Sequence, residues 1–539
     1  MPYHVLVTDD VDPDGIALLA AEPELKVEVV PTLAPDVLLE RIDRYDAIVG
    51  RSATKISEAL LRRGTRLRVV GRAGVGVDNV AMDVATELGV AVINAPAGNT
   101  IAVAELVFGM LISLLRHLPR AVASMKEGRW DRSDLLGTEL LGKSLGIVGL
   151  GRIGGEVATR ANAFGMTVVA FDPYVADARF AALRVKRAAS LDELLDDADI
   201  LTVHVPLTDE TTGMIGRREL ARLRPGSIVA NLARGGIVDD AALLAALESG
   251  HLRGAALDAF AAEPLAKDSP LRAAPGAVLT PHIGASTAEA QRNVAVDVCI
   301  AVRDALLRGE LSRSMNVAAV EGAGADAWRE LRPAMLLARR AAAVARAILG
   351  DQGVRAVQRV TLRCGTALAG GREALLSAAA LGAVEGAVDE GRVNLINARA
   401  QAEARGLELT AGESAQLAPY AVEVSVRGAM SELTVAGVAP AGSPARLTRI
   451  GGFPVDVNPR QTLIVLTNRD VPGVIGRVGT LLGAASVNIA EYHQARLGHG
   501  GGDALAVIAV DGRVDGSLRG RLCELPDVLG ASVVNFLGD

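Results

Sequence analysis

The sequence of 539 residues predicts an α/β protein in which two Rossmann-like domains, one inserted in the other, precede an α+β domain and a βαββαβ domain. Three observations support this expectation. Short apolar runs alternate with helical stretches over residues 4–98 and again over residues 144–307. The second of these regions opens with a glycine-rich turn between a strand pattern and a helix pattern. From Thr462 onward, strands and helices follow one another in the order βαββαβ.

Composition argues against several classes of protein. Half of the residues are hydrophobic but only 3% are aromatic, so the cores are expected to be aliphatic and alanine-rich. A net charge of −7 provides no general attraction to nucleic acid or to an anionic membrane, and neither is expected as a partner. The longest apolar run, Ile101–Leu115, contains Glu105 and is too short to span a bilayer, which indicates a buried core helix.

The cysteines and the start of the chain indicate a cellular compartment. Three cysteines, Cys299, Cys364 and Cys523, are far apart in the sequence and odd in number. They form neither a metal-ligand spacing nor a disulfide framework, so we expect no metal and a reducing environment. The chain starts directly on a strand pattern without a signal peptide, and a cytoplasmic location is therefore expected.

The first 98 residues predict a parallel sheet with ligand-binding loops at its strand ends. The strand-like runs are Val5–Val7, Val27–Val30, Ala47–Val49, Val69–Val70 and Val90–Ile93. One loop, Gly50–Lys55, places two cations after a strand, and another, Arg72–Asn79, contains glycines that leave backbone N–H groups accessible. Because ligands of open α/β sheets bind at the carboxyl ends of the strands, an anionic substrate fits both loops. Taken alone, Arg51 could equally form a surface ion pair.

The glycine-rich turn lies in Ser144–Pro173 and matches a dinucleotide-binding fingerprint in its required strand, turn, helix and strand context. Gly149 permits the tight turn, Gly151 lets the backbone approach a pyrophosphate, and Gly154 lets the helix pack closely on the strand. The N–H groups at the start of the helix would face the phosphate charge. Asp172 follows the second strand, where a carboxylate can bind ribose hydroxyls and would repel a 2′-phosphate, so NAD is favoured over NADP. The alternative for Asp172 is a solvated residue at a strand end.

The pattern around this turn indicates an inserted domain. Further strand-like runs are Ile200–Val203, Ile228–Ala230, Ala255–Leu257 and Val278–Thr280, with helices starting near Leu191, Arg217, Asp239 and Ser286. One helix over Asn99–Leu118 leads into this region, and the helix from Ser286 through Leu307 is long enough to return to the first sheet. We therefore expect an NAD-binding domain over residues 99–287, a substrate domain over residues 1–98 and 288–316, and a site in the cleft between them.

Three polar residues at the ends of predicted strands form a candidate catalytic set: Arg234 in NLARGG, Glu263 before Pro264, and His282 in PHIGAS. A histidine near its ordinary pKa can take the hydroxyl proton in a hydride transfer, and a carboxylate beside it would fix its tautomer. An arginine would hold a substrate carboxylate in its fork. Singly, each residue has an ordinary structural explanation, as a capping histidine, a loop acid or a helix-end ion pair. Their joint occurrence after the fingerprint favours catalysis.

The motifs VGLGRIG, NLARGGIVDD and PHIGAST, together with Glu263-Pro264, closely resemble the D-isomer-specific 2-hydroxyacid dehydrogenases over residues 1–316. Within that family, RSATK, GRAGVGVDN and the added C-terminal regions resemble the long-type D-3-phosphoglycerate dehydrogenases. The resemblance implies an intervening domain over residues 317–458 and an ACT domain over residues 459–539. It also implies NAD-linked oxidation of 3-phosphoglycerate, the first step of serine synthesis.

The resemblance implies roles for individual residues. His282 would be the acid/base, Glu263 its partner and Arg234 the substrate clamp. The substrate carboxylate would lie on Gly74, Val75 and Gly76, and the phosphate on Arg51, Ser52 and Arg132, the last reaching a neighbouring subunit. The cofactor would contact the fingerprint glycines with Arg152, Ile153, Asp172, Val205, Leu232, Ala233, Asp258, Gly284 and Ala285.

The C-terminal half carries a candidate effector site and a weaker candidate. Asn468, Asp470 and Asn488 match the positions that hold serine between paired ACT copies in feedback-inhibited relatives, although Asn468 stands where Tyr or His is frequent. The alternative is an ACT domain that serves assembly alone. In the middle region, Arg446 and Arg449 form a thin basic set that could be a solvated edge, and we predict no anion site there.

Other functions remain open from the sequence. One is a 2-hydroxyacid dehydrogenase of different specificity, including reduction of 2-oxoglutarate as a side activity. Another is a non-catalytic NAD-sensing protein of the same fold, against which the intact set of Arg234, Glu263 and His282 argues. By resemblance, the chain is expected to form a homotetramer or at least a dimer.

Overall fold

The computed structural model describes residues 2–318, 325–354, 356–385, 393–459, 462–497 and 502–536. The strands are β1 Tyr3–Val7, β2 Leu25–Val29, β3 Ala47–Gly50, β4 Val69–Arg72, β5 Ala91–Asn94, β6 Ser144–Val148, β7 Thr167–Phe171, β8 Lys186–Arg187, β9 Ile200–Val203, β10 Ser227–Asn231, β11 Leu252–Leu257, β12 Ala277–Leu279, β13 Val357–Cys364, β14 Glu408–Glu413, β15 Ala421–Gly428, β16 Glu432–Val438, β17 Arg446–Ile450, β18 Phe453–Val457, β19 Thr462–Arg469, β20 Ile489–Arg496, β21 Asp503–Val510 and β22 Val528–Asn535.

The α-helices are α1 Pro13–Ala20, α2 Pro35–Arg41, α3 Glu58–Arg63, α4 Met82–Glu87, α5 Thr100–Leu115, α6 Leu118–Lys126, α7 Arg152–Ala163, α8 Asp177–Leu183, α9 Leu191–Asp197, α10 Arg217–Arg222, α11 Asp240–Glu248, α12 Ala288–Arg308, α13 Ala325–Asp351, α14 Arg372–Val384, α15 Ala398–Glu403, α16 Val474–Ala484 and α17 Gly516–Cys523. Short 3-10 helices lie at Ile42–Arg44, Ser133–Leu135, Pro270–Ala273 and Thr366–Gly371.

The first sheet is parallel, in the order β2-β1-β3-β4-β5. Its strands β1, β3, β4 and β5 are largely buried because helices cover both faces, whereas the edge strand β2 is mostly exposed. Helix α12 returns from the second sheet and packs on α1 and β4. Gly15 permits this close approach, since a Cβ there would lie 2.7 Å from the backbone of Ala295. The predicted insertion of one Rossmann-like unit into another is therefore confirmed.

The second sheet is also parallel, in the order β12-β11-β10-β9-β6-β7-β8. The strand order reverses beside β6, which places the crevice of a doubly wound fold between β6 and β9. Helix α5 matches the helix expected over Asn99–Leu118 and ends at Leu115, and a second helix, α6, follows it. His117 between them has a φ of 53°, in the left-handed region, and Pro119 lies in the first turn of α6. A left-handed residue followed by a proline ends the first helix and turns the chain.

The C-terminal half contains a mixed sheet and an antiparallel sheet. The mixed sheet has the order β14-β13-β15-β16-β17-β18 and packs on α13 and α14. The antiparallel sheet has the order β20-β21-β19-β22 and carries α16 and α17, which confirms the predicted βαββαβ arrangement. The predicted loop over Gly498–Gly502 and the predicted helical residues 386–390 lie largely outside the described residues.

The two C-terminal sheets share one hydrophobic core. Leu337 and Val344 of α13 belong to the same buried cluster as Val465 of β19 and Val507 of β21. The opposite face of the antiparallel sheet packs on α16 and α17 in a separate cluster. Both faces of this sheet are therefore covered within a single chain.

One helical stretch among the described residues, Thr366–Val384, is long and apolar enough to cross a membrane, and 72% of its most apolar window is buried inside the protein. The bent pair formed by α5 and α6 passes the same test only when both helices are taken as one span. Burial of this kind is typical of a core helix.

Candidate active site

A cleft with a volume of about 510 Å³ lies between the two parallel sheets. Its walls come from the carboxyl ends of strands in both sheets, where ligands of open α/β sheets bind. The lining includes these sequence-predicted residues: Val75, Gly76, Arg152, Ile153, Val205, Leu232, Ala233, Arg234, Asp258, His282, Gly284 and Ala285. The structure thus brings most of the predicted cofactor residues and two of the three predicted catalytic residues to one cavity.

The turn after β6 has the geometry of a phosphate-binding loop. Gly149 has a φ of 91°, which side chains rarely tolerate. At Gly154, a Cβ would overlap the carbonyl oxygen of Gly149, so only glycine lets α7 approach the strand. At Gly151, a Cβ would meet no atom of the described residues within 4 Å, so space beside this backbone remains for a ligand. The space and the N–H groups that open α7 fit a pyrophosphate.

Asp172 orders the same loop. Its carboxylate accepts hydrogen bonds from the backbone N–H of Leu150 at 2.8 Å and of Tyr174 at 2.9 Å. The acid therefore stands beside the glycine turn at the end of β7. This position suits the bonding of ribose hydroxyls that the sequence predicts for it.

Asp258 fixes the loop that carries the candidate catalytic histidine. One of its carboxylate oxygens accepts hydrogen bonds from the hydroxyl of Thr280 at 2.6 Å and from the N–H of Ile283 at 2.8 Å. The other accepts from the N–H of Gly284 at 2.8 Å. Between these contacts, His282 has a φ of 52°, a left-handed conformation that a non-glycine residue adopts only when its surroundings hold it there. The buried carboxylate therefore sets where the imidazole points.

His282 and Glu263 are paired. The imidazole Nδ1 lies 2.8 Å from Glu263 Oε2 and 2.9 Å from Oε1. Glu263 Oε1 also accepts the N–H of Phe260 at 3.1 Å, which orients the carboxylate. A carboxylate on Nδ1 favours the tautomer with a proton there, and this leaves Nε2 as an acceptor. The arrangement can accept a proton from a bound alcohol.

Arg234 follows β10 in the NLARGG loop, and its guanidinium reaches the glycine loop that follows β4. Its guanidinium donates to the carbonyl of Ala233 at 2.7 Å, and its Nε lies 3.2 Å from Asp78 Oδ2. A Cβ on Gly76 would overlap this guanidinium, so the glycine makes room for the cation. Among the described residues, the backbone N–H groups of Val75 and Gly76 have no hydrogen-bond partner. A guanidinium beside vacant N–H donors is suited to a carboxylate.

Arg72 places a second guanidinium against the same loop, over Gly74, where a Cβ would overlap it. Burial and the neighbouring charge of Arg234 lower the pKa of Arg72 to about 10, and the charge of Arg51 acts in the same direction. Within the part of the chain that the structure describes, its Nε is buried without a hydrogen-bond partner. Sequence analysis gave Arg72 no role, although it opens the glycine loop that was singled out. Three arginines thus converge where an anionic substrate was expected.

Arg51 and Ser52 lie in the loop after β3, beyond the cavity lining itself. The backbone N–H of Arg51 donates to Asp9 at 2.8 Å, and its carbonyl accepts from Asn79 at 3.1 Å. The loop is therefore anchored by backbone contacts, and the half-buried Arg51 side chain makes no ion pair among the described residues. The surface ion pair considered as its alternative is not formed there.

His204 also lines the cleft and was missed by sequence analysis. Burial lowers the pKa of His204 to about 4, so the ring is neutral near pH 7. Its Nε2 lies 3.0 Å from the hydroxyl of Thr202, while its Nδ1 is buried and has no hydrogen-bond partner in the described ranges. The only available signal was its position directly after β9, next to the predicted Val205.

Arg132 lies away from the cleft lining, in an exposed segment. Nearby, Trp130 is 78% exposed and Leu136 is 87% exposed. An exposed apolar surface of this kind is typical of an interface. Within one chain, Arg132 does not join the other candidate substrate residues.

The candidate effector residues are not brought together within one chain. Asn468 and Asp470 lie at the carboxyl end of β19, where Asn468 pairs with Ala504. Asn488 precedes β20, at the end of the sheet where Ile489 pairs with Val510. Six residues of β21 separate these pairings, which corresponds to about 20 Å. Asp470 is bonded to Arg496 at 3.1 Å, and Asn488 donates to Asp511 at 2.7 Å.

Two further predictions concern charged or ligating groups. Arg446 pairs with Glu491 at 2.6 Å and also with Asp456, and Arg449 pairs with Glu423. Carboxylates therefore neutralise the thin basic set of the middle region. The described residues contain no group of three His, Cys, Asp or Glu side chains that could hold a metal ion.

Comparison with known proteins agrees with this geometry. Residues 108–284 match the NAD binding domain of the D-isomer specific 2-hydroxyacid dehydrogenases. A D-3-phosphoglycerate dehydrogenase of Bacillus subtilis (strain 168) is 38% identical over 537 residues, covering 99% of this chain and 100% of the relative. One of Synechocystis is 37% identical over 534 residues, covering 99% of this chain and 94% of the relative.

A solved structure is also similar. The NAD+-bound 3-phosphoglycerate dehydrogenase of Entamoeba histolytica matches with a TM-score of 0.50 and 25% identity, covering 59% of this chain and 99% of its own. Full-length similarity at these identities, together with the cleft and its paired histidine and glutamate, shows that the chain belongs to the D-3-phosphoglycerate dehydrogenase family, within the D-isomer specific 2-hydroxyacid dehydrogenases.

Proposed function

We propose that this protein catalyses the NAD-dependent oxidation of 3-phospho-D-glycerate to 3-phosphohydroxypyruvate, the first step of L-serine biosynthesis. The observation that carries the proposal is the His282–Glu263 pair, whose histidine lines the cleft together with Arg234 and with Arg152 of the dinucleotide turn. The family supplies the reaction class, and the convergence of Arg51, Arg72 and Arg234 supports a substrate with two anionic groups.

NAD fits the glycine turn, where Gly151 leaves open space and the first N–H groups of α7 point outward. Bound there, NAD supplies the acceptor for a hydride. Asp172 would hold the adenosine ribose, while Arg152 and Ile153 would hold the pyrophosphate. The remaining predicted contacts, at the far end of the same cleft, would hold the rest of the cofactor: Val205, Leu232, Ala233, Asp258, Gly284 and Ala285.

His282 takes the proton of the substrate hydroxyl through Nε2, because its Nδ1 is occupied by Glu263. The carboxylate of Glu263 stabilises the positive charge that the imidazole then acquires. In the reverse direction, the same imidazolium returns the proton to the oxygen of the keto acid. The pair therefore serves both directions of the reaction.

The substrate carboxylate would be held by the Arg234 guanidinium and the N–H groups of Val75 and Gly76. The phosphate would be held by Arg51 and Ser52, with Arg72 between the two anionic groups. Guanidinium forks match carboxylate and phosphate geometry, so this placement accounts for three arginines around one small molecule.

A direct test is the formation of NADH from 3-phosphoglycerate at alkaline pH, with D-glycerate as the comparison substrate. We expect turnover of the phosphorylated acid, a raised KM for it in Arg51→Ala, and an unchanged KM for glycerate. Turnover of glycerate at least as efficient as that of 3-phosphoglycerate would overturn the substrate assignment. Loss of turnover in His282→Ala with retained NAD binding would separate an enzyme from an NAD sensor.

We also propose that the terminal βαββαβ unit is an ACT domain that binds L-serine between two copies. Because Asn488 lies at the opposite end of the sheet from Asn468 and Asp470, one complete site would need residues from two chains. Serine should inhibit the wild type, and neither Asp470→Ala nor Asn488→Ala alone should respond. Mixed oligomers of these two variants should regain part of the response, whereas mixed oligomers without response would contradict a site between chains.

The remaining assignments concern organisation. We propose a substrate domain at 1–98 and 288–316, an NAD-binding domain at 99–287, an intervening domain at 317–458 and an ACT domain at 459–539. We propose a homotetramer or dimer in which Arg132 reaches the partner's substrate phosphate, because the surface around Trp130 and Leu136 is apolar and exposed. A cytoplasmic location is proposed because all three cysteines are free thiols.

A further inference from the structure

We propose that Asp9 and Asn79 are positioning residues that hold the Arg51–Thr54 loop from two sides and so determine selectivity for a phosphorylated substrate. The inference rests on the proposed function, since it assigns the phosphate to this loop. It concerns residues outside the cavity that would touch neither substrate nor cofactor. Their effect would be exerted through the backbone that carries Arg51.

Asp9 binds backbone N–H groups of the Arg51–Thr54 loop. One carboxylate oxygen accepts hydrogen bonds from the N–H of Arg51 at 2.8 Å and the N–H of Thr54 at 2.9 Å. The other accepts from the hydroxyl of Thr54 at 2.6 Å and the hydroxyl of Thr32 at 2.8 Å. The carboxylate is buried and satisfied by four donors, so the loop cannot shift without losing charge-assisted bonds.

The backbone of Asp9 supports this interpretation. Its φ is 65°, in the left-handed region that non-glycine residues rarely adopt. Such a conformation persists only where surrounding contacts over-determine it, and it is frequent at functional sites. The neighbouring hydroxyls of Thr8 and Thr54 lie 3.0 Å apart, which closes the network under the loop.

Asn79 binds backbone carbonyl groups of the same loop. Its side-chain amide donates to the carbonyl of Arg51 at 3.1 Å and to the carbonyl of Thr54 at 2.7 Å. The N–H and C=O groups of the same two residues, Arg51 and Thr54, are therefore bound by Asp9 on one side and by Asn79 on the other. Ser52, between them, is exposed at the turn.

Asn79 also connects the Arg51–Thr54 loop to the loop that contains Gly74–Gly76. Asn79 ends the segment that contains Gly74–Gly76, and its backbone carbonyl accepts the N–H of Ile56 at 2.8 Å. A parallel bridge between Ile56 and Val80 continues this contact. These contacts of Asn79 and Ile56 therefore fix the distance between Arg51 and the backbone at Gly74–Gly76, which is proposed to bind the carboxylate. A fixed separation selects a substrate whose carboxylate and phosphate are the matching distance apart.

The test compares reduction of 3-phosphohydroxypyruvate with reduction of hydroxypyruvate, using NADH and the full-length protein. Asn79→Leu removes both donors at nearly constant volume. We expect its KM for the phosphorylated keto acid to rise about tenfold or more, with kcat within about threefold. The kcat/KM for hydroxypyruvate and the Kd for NADH should stay within about twofold. Asp9→Asn should likewise raise the KM for 3-phosphohydroxypyruvate relative to that for hydroxypyruvate.

The controls separate positioning from general damage. Asn162→Leu removes a comparable amide-to-carbonyl bond, to Leu183 at 2.9 Å, far from the substrate loops, and should leave the substrate ratio unchanged. Asn79→Ser introduces a side chain that is polar but too short to reach both carbonyl groups. This variant is used in place of Asn79→Leu if Asn79→Leu does not fold. Arg51→Ala reports on the phosphate assignment itself.

The outcomes are distinguishable. A raised KM in Arg51→Ala with an unchanged KM in the Asn79 variants would overturn the inference and leave the proposed function intact. An equal loss toward both keto acids in the Asn79 variants would mean a merely structural role and would also overturn it. An unchanged KM in Arg51→Ala would overturn the phosphate assignment and the inference together.

Discussion

The Cα of Gly154 lies against the carbonyl oxygen of Gly149, so tightly that a Cβ would overlap that oxygen. Strand β6 and helix α7 are therefore in backbone contact at the turn where NAD is expected. Gly151, between them, has no neighbour within 4 Å of the position a Cβ would occupy. The three glycines thus have different physical reasons to be glycine, and each reason can be tested separately.

Alanine substitutions at Gly151 and Gly154 should give opposite results. Gly154→Ala should lower the unfolding midpoint, because α7 must move away from β6. Gly151→Ala should leave the midpoint unchanged and weaken NAD binding, because its methyl group enters the space left for the pyrophosphate. Thermal unfolding and NADH fluorescence titration would measure the two effects. Equal destabilisation by both variants would refute this division of roles.

Glu263→Gln should lower kcat by about a hundredfold while leaving the Kd for NADH unchanged. The amide would offer only one acceptor to His282 Nδ1 and would not stabilise a charged imidazole, although the side chain keeps its shape. Pre-steady-state measurement of NADH consumption would show whether the chemical step is slowed. Asp268→Asn, at an exposed acid of a neighbouring loop, is the matched control and should have wild-type kcat.

Arg72→Met should raise the KM for 3-phosphoglycerate about tenfold or more, since a charge-assisted bond is lost. The same variant should be at least as stable as the wild type. Arg72 keeps a partly buried charge beside Arg234, and burial already lowers its pKa to about 10. Kinetics and chemical denaturation would be measured together. A variant that is destabilised with an unchanged KM would identify Arg72 as a packing residue.

His204 should make the protein less stable in acid. Its pKa is about 4 when folded and 6.5 as the ordinary value, so between these values the unfolded chain binds more protons. Stability from this residue is complete above pH 6.5 and falls as the pH drops toward 4, by at most about 3 kcal/mol. Denaturant midpoints near neutrality and at about pH 5 should differ less in His204→Asn than in the wild type. An equal pH dependence in both proteins would contradict the assignment.

The sequence was sufficient for the main strands of both parallel sheets, for the terminal βαββαβ order and for the dinucleotide turn, because these depend on local patterns. Strands β8, β14, β17 and β18 were not predicted. Apolar runs fix where parallel strands lie, and the carboxyl ends of such strands meet at one edge. That rule places His282 and Glu263 near each other without any knowledge of distances. Their 2.8 Å contact follows from the loop between them, which Asp258 organises through bonds that no local pattern specifies.

Other features depended on the path of the chain in three dimensions. Arg72 belongs to the end of β4, and only the folded backbone shows its guanidinium lying over Gly74. Asp9 follows β1 forty-two residues before Arg51, so their contact is non-local. The left-handed conformation of His117 is not marked by its residue type, although Pro119 after it is visible in the sequence. Such contacts arise from tertiary packing, which overrides local preference.

The core shared by the two C-terminal sheets determines which truncations of the chain should be tolerated. The Entamoeba histolytica structure aligns over 59% of the chain, while using 99% of its own length. A stop codon placed after β18 would remove β22, which packs on α13, and would expose part of the apolar core to water. The product should aggregate, so a lineage that retains the middle segment is under selection to retain the final one.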